Sequence, residues 1–170
     1  QFLELLTRVA ARHRWNVFSH SLMGNHYHLV VQIPEGGLSQ GMCELNTAYS
    51  CRFNRRWDRR DHLFRQRFHG EIVTRDGHLL EVLRYVVLNP VRAGIAAGPA
   101  DWPWSSYQAI VGDTWAPPFL ARAQAAGAAA VIDATNTSAM HLTRADSADI
   151  TGGYTPLPVV RMAPEHQAIL

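Results

Sequence analysis

Two short apolar runs separated by three residues constrain this chain more than anything else in it. Residues 15–22 (WNVFSHSL) and 26–33 (HYHLVVQI) are rich in the β-branched and aromatic residues that suit strands. Met23-Gly24-Asn25 between them leaves room only for a tight reversal, so the two runs are expected to pair as an antiparallel hairpin. A lone hairpin is barely stable in water, so the rest of the chain must cover it. Phe2, Leu5, Leu6 and Val9 share one face of a helix predicted over 2–13. After the break at Gly36-Gly37, Leu38, Met42, Leu45, Tyr49 and Phe53 recur at helical spacing up to about Arg56. Residues 63–73 (LFRQRFHGEIV) alternate as a strand would. Residues 78–88 (HLLEVLRYVVL) predict a helix stopped by Asn89-Pro90, because a residue preceding proline is disfavoured in the α conformation. The order α, β, β, α, β, α predicts an α+β fold, an antiparallel or mixed sheet with helices on one face.

Residues 102–107 (WPWSSY) form an aromatic segment suited to capping a core. Beyond about Gly112 the composition shifts to Pro117-Pro118, an Ala-rich stretch over 121–131 and a Thr/Ser/Ala/Asp-rich stretch. Two parts are expected: a working domain over 1–112, and 113–170 with a short helix near 119–131 and a poorly ordered tail. Within that tail, residues 157–160 (LPVV) are expected to be a poor strand donor, because proline interrupts pairing.

Charge is uneven. Residues 1–112 hold 13 Arg against 9 acids, residues 113–170 only 3 against 5, and the densest stretch, 52–75, has 8 Arg and 3 acids. Every basic residue other than histidine is arginine, whose planar fork suits phosphate. Arg52, Arg55, Arg56, Arg59, Arg60, Arg65 and Arg67 are interleaved with Phe53, Trp57, Phe64 and Phe68. Guanidinium groups neutralise phosphates and aromatic rings stack on bases, so nucleic acid is a candidate partner. The bland alternative is a solvated basic face with the phenylalanines in the core. Cys43 and Cys51 fall eight residues apart on one predicted helix, roughly 12 Å along its axis, too far for a disulfide. A reducing, cytoplasmic setting fits, and no apolar run approaches the ~20 residues of a membrane span. No signal peptide is expected in the stretch that starts at Gln1, and a fragment of a longer chain is expected.

His26 and His28 flank Tyr27 on a predicted strand, and side chains at i and i+2 of a strand share a face. Two imidazoles so placed can share a metal ion; the alternative is a half-buried pair hydrogen-bonded to its neighbours. No CxxC or HExxH completes a zinc site. On helix 78–88, Leu79, Val82, Leu83 and Val86 form the apolar stripe, while Tyr85 falls between Glu81 and Asn89 on the polar side. A tyrosine there is either an ordinary boundary residue or a nucleophile with a metal ligand one turn away.

Taken together, these segments resemble a known family. Met23-Gly24-Asn25-His26-Tyr27-His28-Leu29-Val30-Val31 resembles the HUH motif of single-tyrosine transposases, with Tyr27 as the bulky middle residue. There follow in order Tyr49-Ser50-Cys51-Arg52-Phe53-Asn54-Arg55-Arg56, Leu63-Phe64-Arg65-Gln66-Arg67-Phe68, Arg84-Tyr85-Val86-Val87-Leu88-Asn89-Pro90-Val91-Arg92-Ala93-Gly94 and Trp102-Pro103-Trp104-Ser105-Ser106-Tyr107. The series is similar to the REP-associated tyrosine transposases, relatives of the small insertion-sequence transposases, over roughly residues 2–120. The resemblance implies that His26 and His28 bind Mg²⁺ or Mn²⁺, that Tyr85 attacks the scissile phosphate, and that Asn89 supplies a further ligand. It implies a ferredoxin-like sheet with helices on one face, and a protein, monomer or homodimer, that cuts single-stranded DNA beside hairpins near the bacterial nucleoid. Asp61 stands where the family often has Gly, and the resemblance leads one to expect that the family's first strand is missing from this stretch of chain. Two other functions are compatible with the residues: a non-catalytic, decayed nucleic-acid-binding module, and a metal-dependent hydrolase with water as nucleophile.

Overall fold

The computed structural model describes residues 1–65, 67–70, 72–73, 76–112, 115–120 and 159–161, with the backbone alone for 76–78 and 159–161. Its elements are helix α1 (Phe2–Arg12), strands β1 (Asn16–Leu22) and β2 (His26–Gln32), and helix α2 (Leu38–Arg56). Helix α3 (Asp76–Arg92), a short 3₁₀ turn (Pro99–Asp101), helix α4 (Tyr107–Val111) and a short strand β3 (Val159–Arg161) follow.

The hairpin forms as its composition requires. β1 and β2 are antiparallel, with Leu22 opposite Tyr27 next to the turn and Asn16 opposite Gln32 at the far end. The Met23 N–H donates to the His26 carbonyl at 2.8 Å and closes the reversal. The register shifts between Val17 and Ser19, a bulge that leaves Phe18 without an opposite residue.

Both faces of this ribbon are covered. Five consecutive residues of β1, Val17 to Ser21, are buried. On β2 the adjacent Tyr27 and His28 point to opposite sides. The Tyr27 ring meets Phe2 of α1 at 4.7 Å, and its hydroxyl donates to Asn46 of α2 at 2.5 Å. The His28 ring meets Tyr85 of α3 at 5.7 Å. Helices α1 and α2 therefore line one face and α3 the other, where one covered face was expected. The apolar stripes of the first two helices are buried as their spacing predicts: Phe2, Leu5, Leu6 and Val9 against Met42, Leu45, Tyr49 and Phe53. Gly41 lets the α2 backbone approach the Trp15 ring so closely that an added Cβ would lie 2.2 Å from its Cζ2.

Two expectations about the middle of the chain are corrected. The described residues of 63–73 form no strand beyond a single bridge at Phe64. Leu63 is fully buried and Phe64, Phe68 and Val73 pack against the core, while Ile72 stays exposed. The alternation thus records side chains turned inward from an irregular segment. Helix α3 does not stop at Asn89-Pro90 but runs through Pro90 to Arg92. Proline so near the end of a helix forfeits one hydrogen bond in a turn that is already ending. The Ala93 N–H reaches the Asn89 carbonyl at 2.9 Å and the Ile95 N–H reaches the Pro90 carbonyl at 3.0 Å, around Gly94 at φ +69°.

Both edges of the hairpin have backbone partners. Along β1 the segment 102–107 covers an edge as well as capping the core, in which Tyr107 is buried. The Leu22 N–H donates to the Trp104 carbonyl and Trp102 Nε1 to the Leu22 carbonyl, both at 2.9 Å, while Trp104 itself is half exposed. Ser106 clamps His20: its Oγ accepts from the His20 N–H at 3.0 Å, and its own N–H donates to the His20 carbonyl at 2.9 Å. Phe119 and Leu120 join the core, with Leu120 bridged to Val17. The edge of β2 is paired, antiparallel, by β3, with His26 opposite Arg161 and His28 opposite Val159. The tail therefore does donate a strand, where a poor donor was expected; Leu157 and Pro158 lie outside the described residues. The helix expected near 119–131 lies, beyond Leu120, outside the described residues.

Candidate functional site

Four side chains form a row across the sheet face that α3 covers. The His26 and His28 rings stand edge to face with centroids 5.0 Å apart, as i and i+2 positions of one strand allow. The Tyr85 ring stands edge to face to His28 with centroids 5.7 Å apart. The guanidinium carbon of Arg92 lies 5.2 Å from the centroid of the Tyr85 ring. His28 is buried, while His26 and Tyr85 are half-buried and Arg92 is exposed, so the row opens from the interior towards solvent.

Each member is held by its element. Helix α3 packs Val82, Leu83, Val86 and Val87 into the core, which turns Tyr85 to the boundary over β2. Asn89, one turn on, donates its Nδ2 to the Tyr85 carbonyl at 3.3 Å. His26 Nδ1 lies 2.6 Å from Asn25 Oδ1. Arg92 follows Tyr85 by seven residues, nearly two full turns, and so returns to the same side of the helix.

Burial separates the described tyrosines. Tyr27, Tyr49 and Tyr107 are buried and Tyr85 is not. Burial pushes the Tyr49 phenol up to about 12. It pushes Tyr27 up as well, against the opposing effect of the Asn46 hydrogen bond. Both phenols are thereby disfavoured as nucleophiles. The histidines divide similarly. His20, on β1, is enclosed with its ring 5.8 Å from Phe119, and burial lowers it to about 4. Among the described residues no three of His, Cys, Asp and Glu come together as a metal-holding group. Were an ion held by His26 and His28, a third ligand from the described residues would be of another kind, such as the amide oxygen of Asn89.

The arginines of 52–67 differ in their surroundings. Arg55, Arg56, Arg60, Arg65 and Arg67 are exposed, and Arg59 is half-buried. Arg52 is ion-paired with Glu4 at 3.4 Å, and Arg56 lies over Trp57 at 5.7 Å. Arg52, Arg55 and Arg56 line a depression with Gln1 and Glu4 between the start of α1 and the end of α2. Cys43 and Cys51 are both exposed and unpaired. No helix among the described residues is long and apolar enough to cross a membrane.

The model of the family described as "Transposase IS200 like" matches residues 1–89, slightly more than half of the chain, from α1 to Asn89. The chain belongs to the IS200-like transposase family. It is also similar to a protein of Haemophilus influenzae named "Putative REP-associated tyrosine transposase", with 29% identity over 97 residues. That similarity covers 51% of this chain and 55% of the relative, so the chain spans about half the length of the curated relative it matches. No solved structure matches the chain. For an IS200-like transposase, the sequence pointed to His26, His28, Tyr85 and Asn89, while Asn25 and Arg92 received no role. Arg92 could have been found from its seven-residue spacing to Tyr85, had the helix not been ended at Asn89.

Proposed function

We propose that this protein cleaves and rejoins single-stranded DNA, with Tyr85 as the nucleophile and Mg²⁺ or Mn²⁺ held by His26, His28 and Asn89. The observation that carries the proposal is the contact between the His28 and Tyr85 rings, which brings residues 57 positions apart to one spot. Membership of the transposase family supports it, as does the burial of the other described tyrosines. Two imidazoles and an amide oxygen make a sparse donor set that suits a weakly held divalent ion better than a structural one. Bound there, the ion would offset the charge of a phosphodiester and orient it.

The chain's own residues do the rest. The Tyr85 oxygen attacks phosphorus, the new O–P bond forms as the P–O3′ bond breaks, and the 3′ oxygen takes a proton. The product is a 5′-phosphotyrosine and a free 3′-OH. The covalent link keeps the energy of the phosphoester, so a second 3′-OH reverses the step without ATP. Arg92, over the nucleophile's ring, offers N–H donors to the phosphate oxygens. The exposed arginines from Arg55 to Arg67 follow the backbone. Hairpin-forming single strands are the proposed substrate, in line with the relative's REP-associated name.

The test is to incubate labelled hairpin-bearing single-stranded DNA with protein and Mn²⁺. A denaturant-resistant protein–DNA adduct that EDTA prevents is expected. Binding without an adduct would make the protein a nucleic-acid-binding module. Cleavage without an adduct, retained in Tyr85→Phe, would make water the nucleophile.

A further inference from the structure

The strand bearing the two imidazoles begins at His26, and the residue before it reaches back onto that ring. Asn25 Oδ1 lies 2.6 Å from His26 Nδ1. We propose that Asn25 is a positioning residue that sets the tautomer of His26 and thereby the nitrogen that faces a divalent cation. The proposal rests on the metal-binding reading of His26 and His28 above.

An imidazole binds a metal only through a lone pair. A neutral ring has one protonated nitrogen and one with a lone pair, and the partner of one decides the state of the other. An amide oxygen only accepts, so the Nδ1 that faces it carries the hydrogen and the lone pair falls on Nε2. Such an acceptor on the second nitrogen fixes ring orientation and raises ligand basicity. The turn fixes the backbone on either side of Asn25: the Met23 N–H bonds to the His26 carbonyl at 2.8 Å, and the Leu22–Tyr27 pair closes the ladder behind it. Asn25 is half-buried and belongs to neither the ladder nor the apolar core.

Asparagine is also a good turn residue in its own right, and a purely conformational role must be separated from this one. Asn25→Gly keeps the freedom of the turn and loses the acceptor, whereas Asn25→Asp keeps an acceptor. The experiment uses the full chain. The tautomer of His26 is read from ring ¹⁵N shifts in metal-free protein, at a pH where the ring is neutral. Mn²⁺ affinity is read by electron paramagnetic resonance. The wild type is expected to show Nδ1–H at His26. Asn25→Gly should lose that preference and bind Mn²⁺ about 10- to 100-fold more weakly, the usual cost of removing such a partner. Asn25→Asp should retain wild-type affinity. Wild-type affinity in Asn25→Gly, or an Nε2–H ring in the wild type, overturns the role of Asn25 alone. A wild type that binds no Mn²⁺ overturns the metal reading itself, and this proposal with it.

Discussion

Acidification below neutrality should destabilise this protein through His20. The ring is enclosed, its Nδ1 has no hydrogen-bond partner among the described residues, and burial lowers its pKa from the ordinary 6.5 to about 4. The unfolded chain therefore takes up this proton first as pH falls through 6.5, and the folded one follows only near 4. Between these values the unfolded state holds about one proton more, so stability falls by up to about 1.4 kcal/mol per pH unit. Across the window the loss is roughly 3 kcal/mol, a large share of the ~5–15 kcal/mol that stabilises an ordinary domain. His20→Leu removes the titrating group and keeps the backbone bonds to Ser106. Glu44, whose carboxyl is held low chiefly by its hydrogen bond to His13, also loses stability on acidification, but from 4.5 downwards and equally in both proteins. The assay is urea unfolding of wild type and His20→Leu from about pH 7 to about pH 4.5, with the slopes against pH compared. The wild type should fall more steeply, by about one proton's worth. Equal slopes would mean that His20 titrates alike in the folded and unfolded states, contrary to this expectation.

Gly41→Ala should cost at least the ~1–3 kcal/mol of an overpacked core, because the added methyl meets the Trp15 ring; a thermal melt measures it. Ser106→Ala should cost about 1–3 kcal/mol by leaving the buried His20 N–H without its acceptor, which chemical denaturation reads directly. Arg92→Ala, at an exposed position, should leave the melting temperature within a few degrees of wild type and slow adduct formation; an unchanged rate would remove Arg92 from the site. Replacing Arg55 and Arg56 by Ala should flatten the dependence of single-strand affinity on salt by about 0.7 in log–log slope for each phosphate that the pair neutralises. An unchanged slope would mean that these two arginines face away from DNA.

What could be read from the sequence was what depends on local periodicity. The stripes Phe2–Leu5–Leu6–Val9 and Met42–Leu45–Tyr49–Phe53 became core because a helical face must be buried. The hairpin formed because three residues allow little else. What could not be read depended on partners far along the chain. The alternation at Leu63, Phe64 and Phe68 reports burial without saying whether the backbone has a ladder to join. Here Phe64 meets Tyr27 at 6.0 Å and Tyr49 at 6.2 Å from irregular backbone. The five consecutive buried residues of β1 reflect two covered faces, which the sequence did not announce because Ser19, His20 and Ser21 are polar. Pro90 hid Arg92, because the rule that proline ends helices takes no account of how few residues remain. The pairing of His28 with Tyr85 was legible only through resemblance; neither residue's own neighbourhood in sequence indicates the other.

Covalent attachment of Tyr85 to DNA is the step on which the proposed function depends. Its most direct test is to trap the adduct with hairpin DNA and Mn²⁺, digest both components, and locate the nucleotide-bearing residue by mass spectrometry, in parallel with Tyr85→Phe. A phosphotyrosine at Tyr85 in the wild type, and no adduct from a Tyr85→Phe protein that still binds the DNA, is the predicted result. An adduct on any other residue, or one that persists in Tyr85→Phe, would contradict the account.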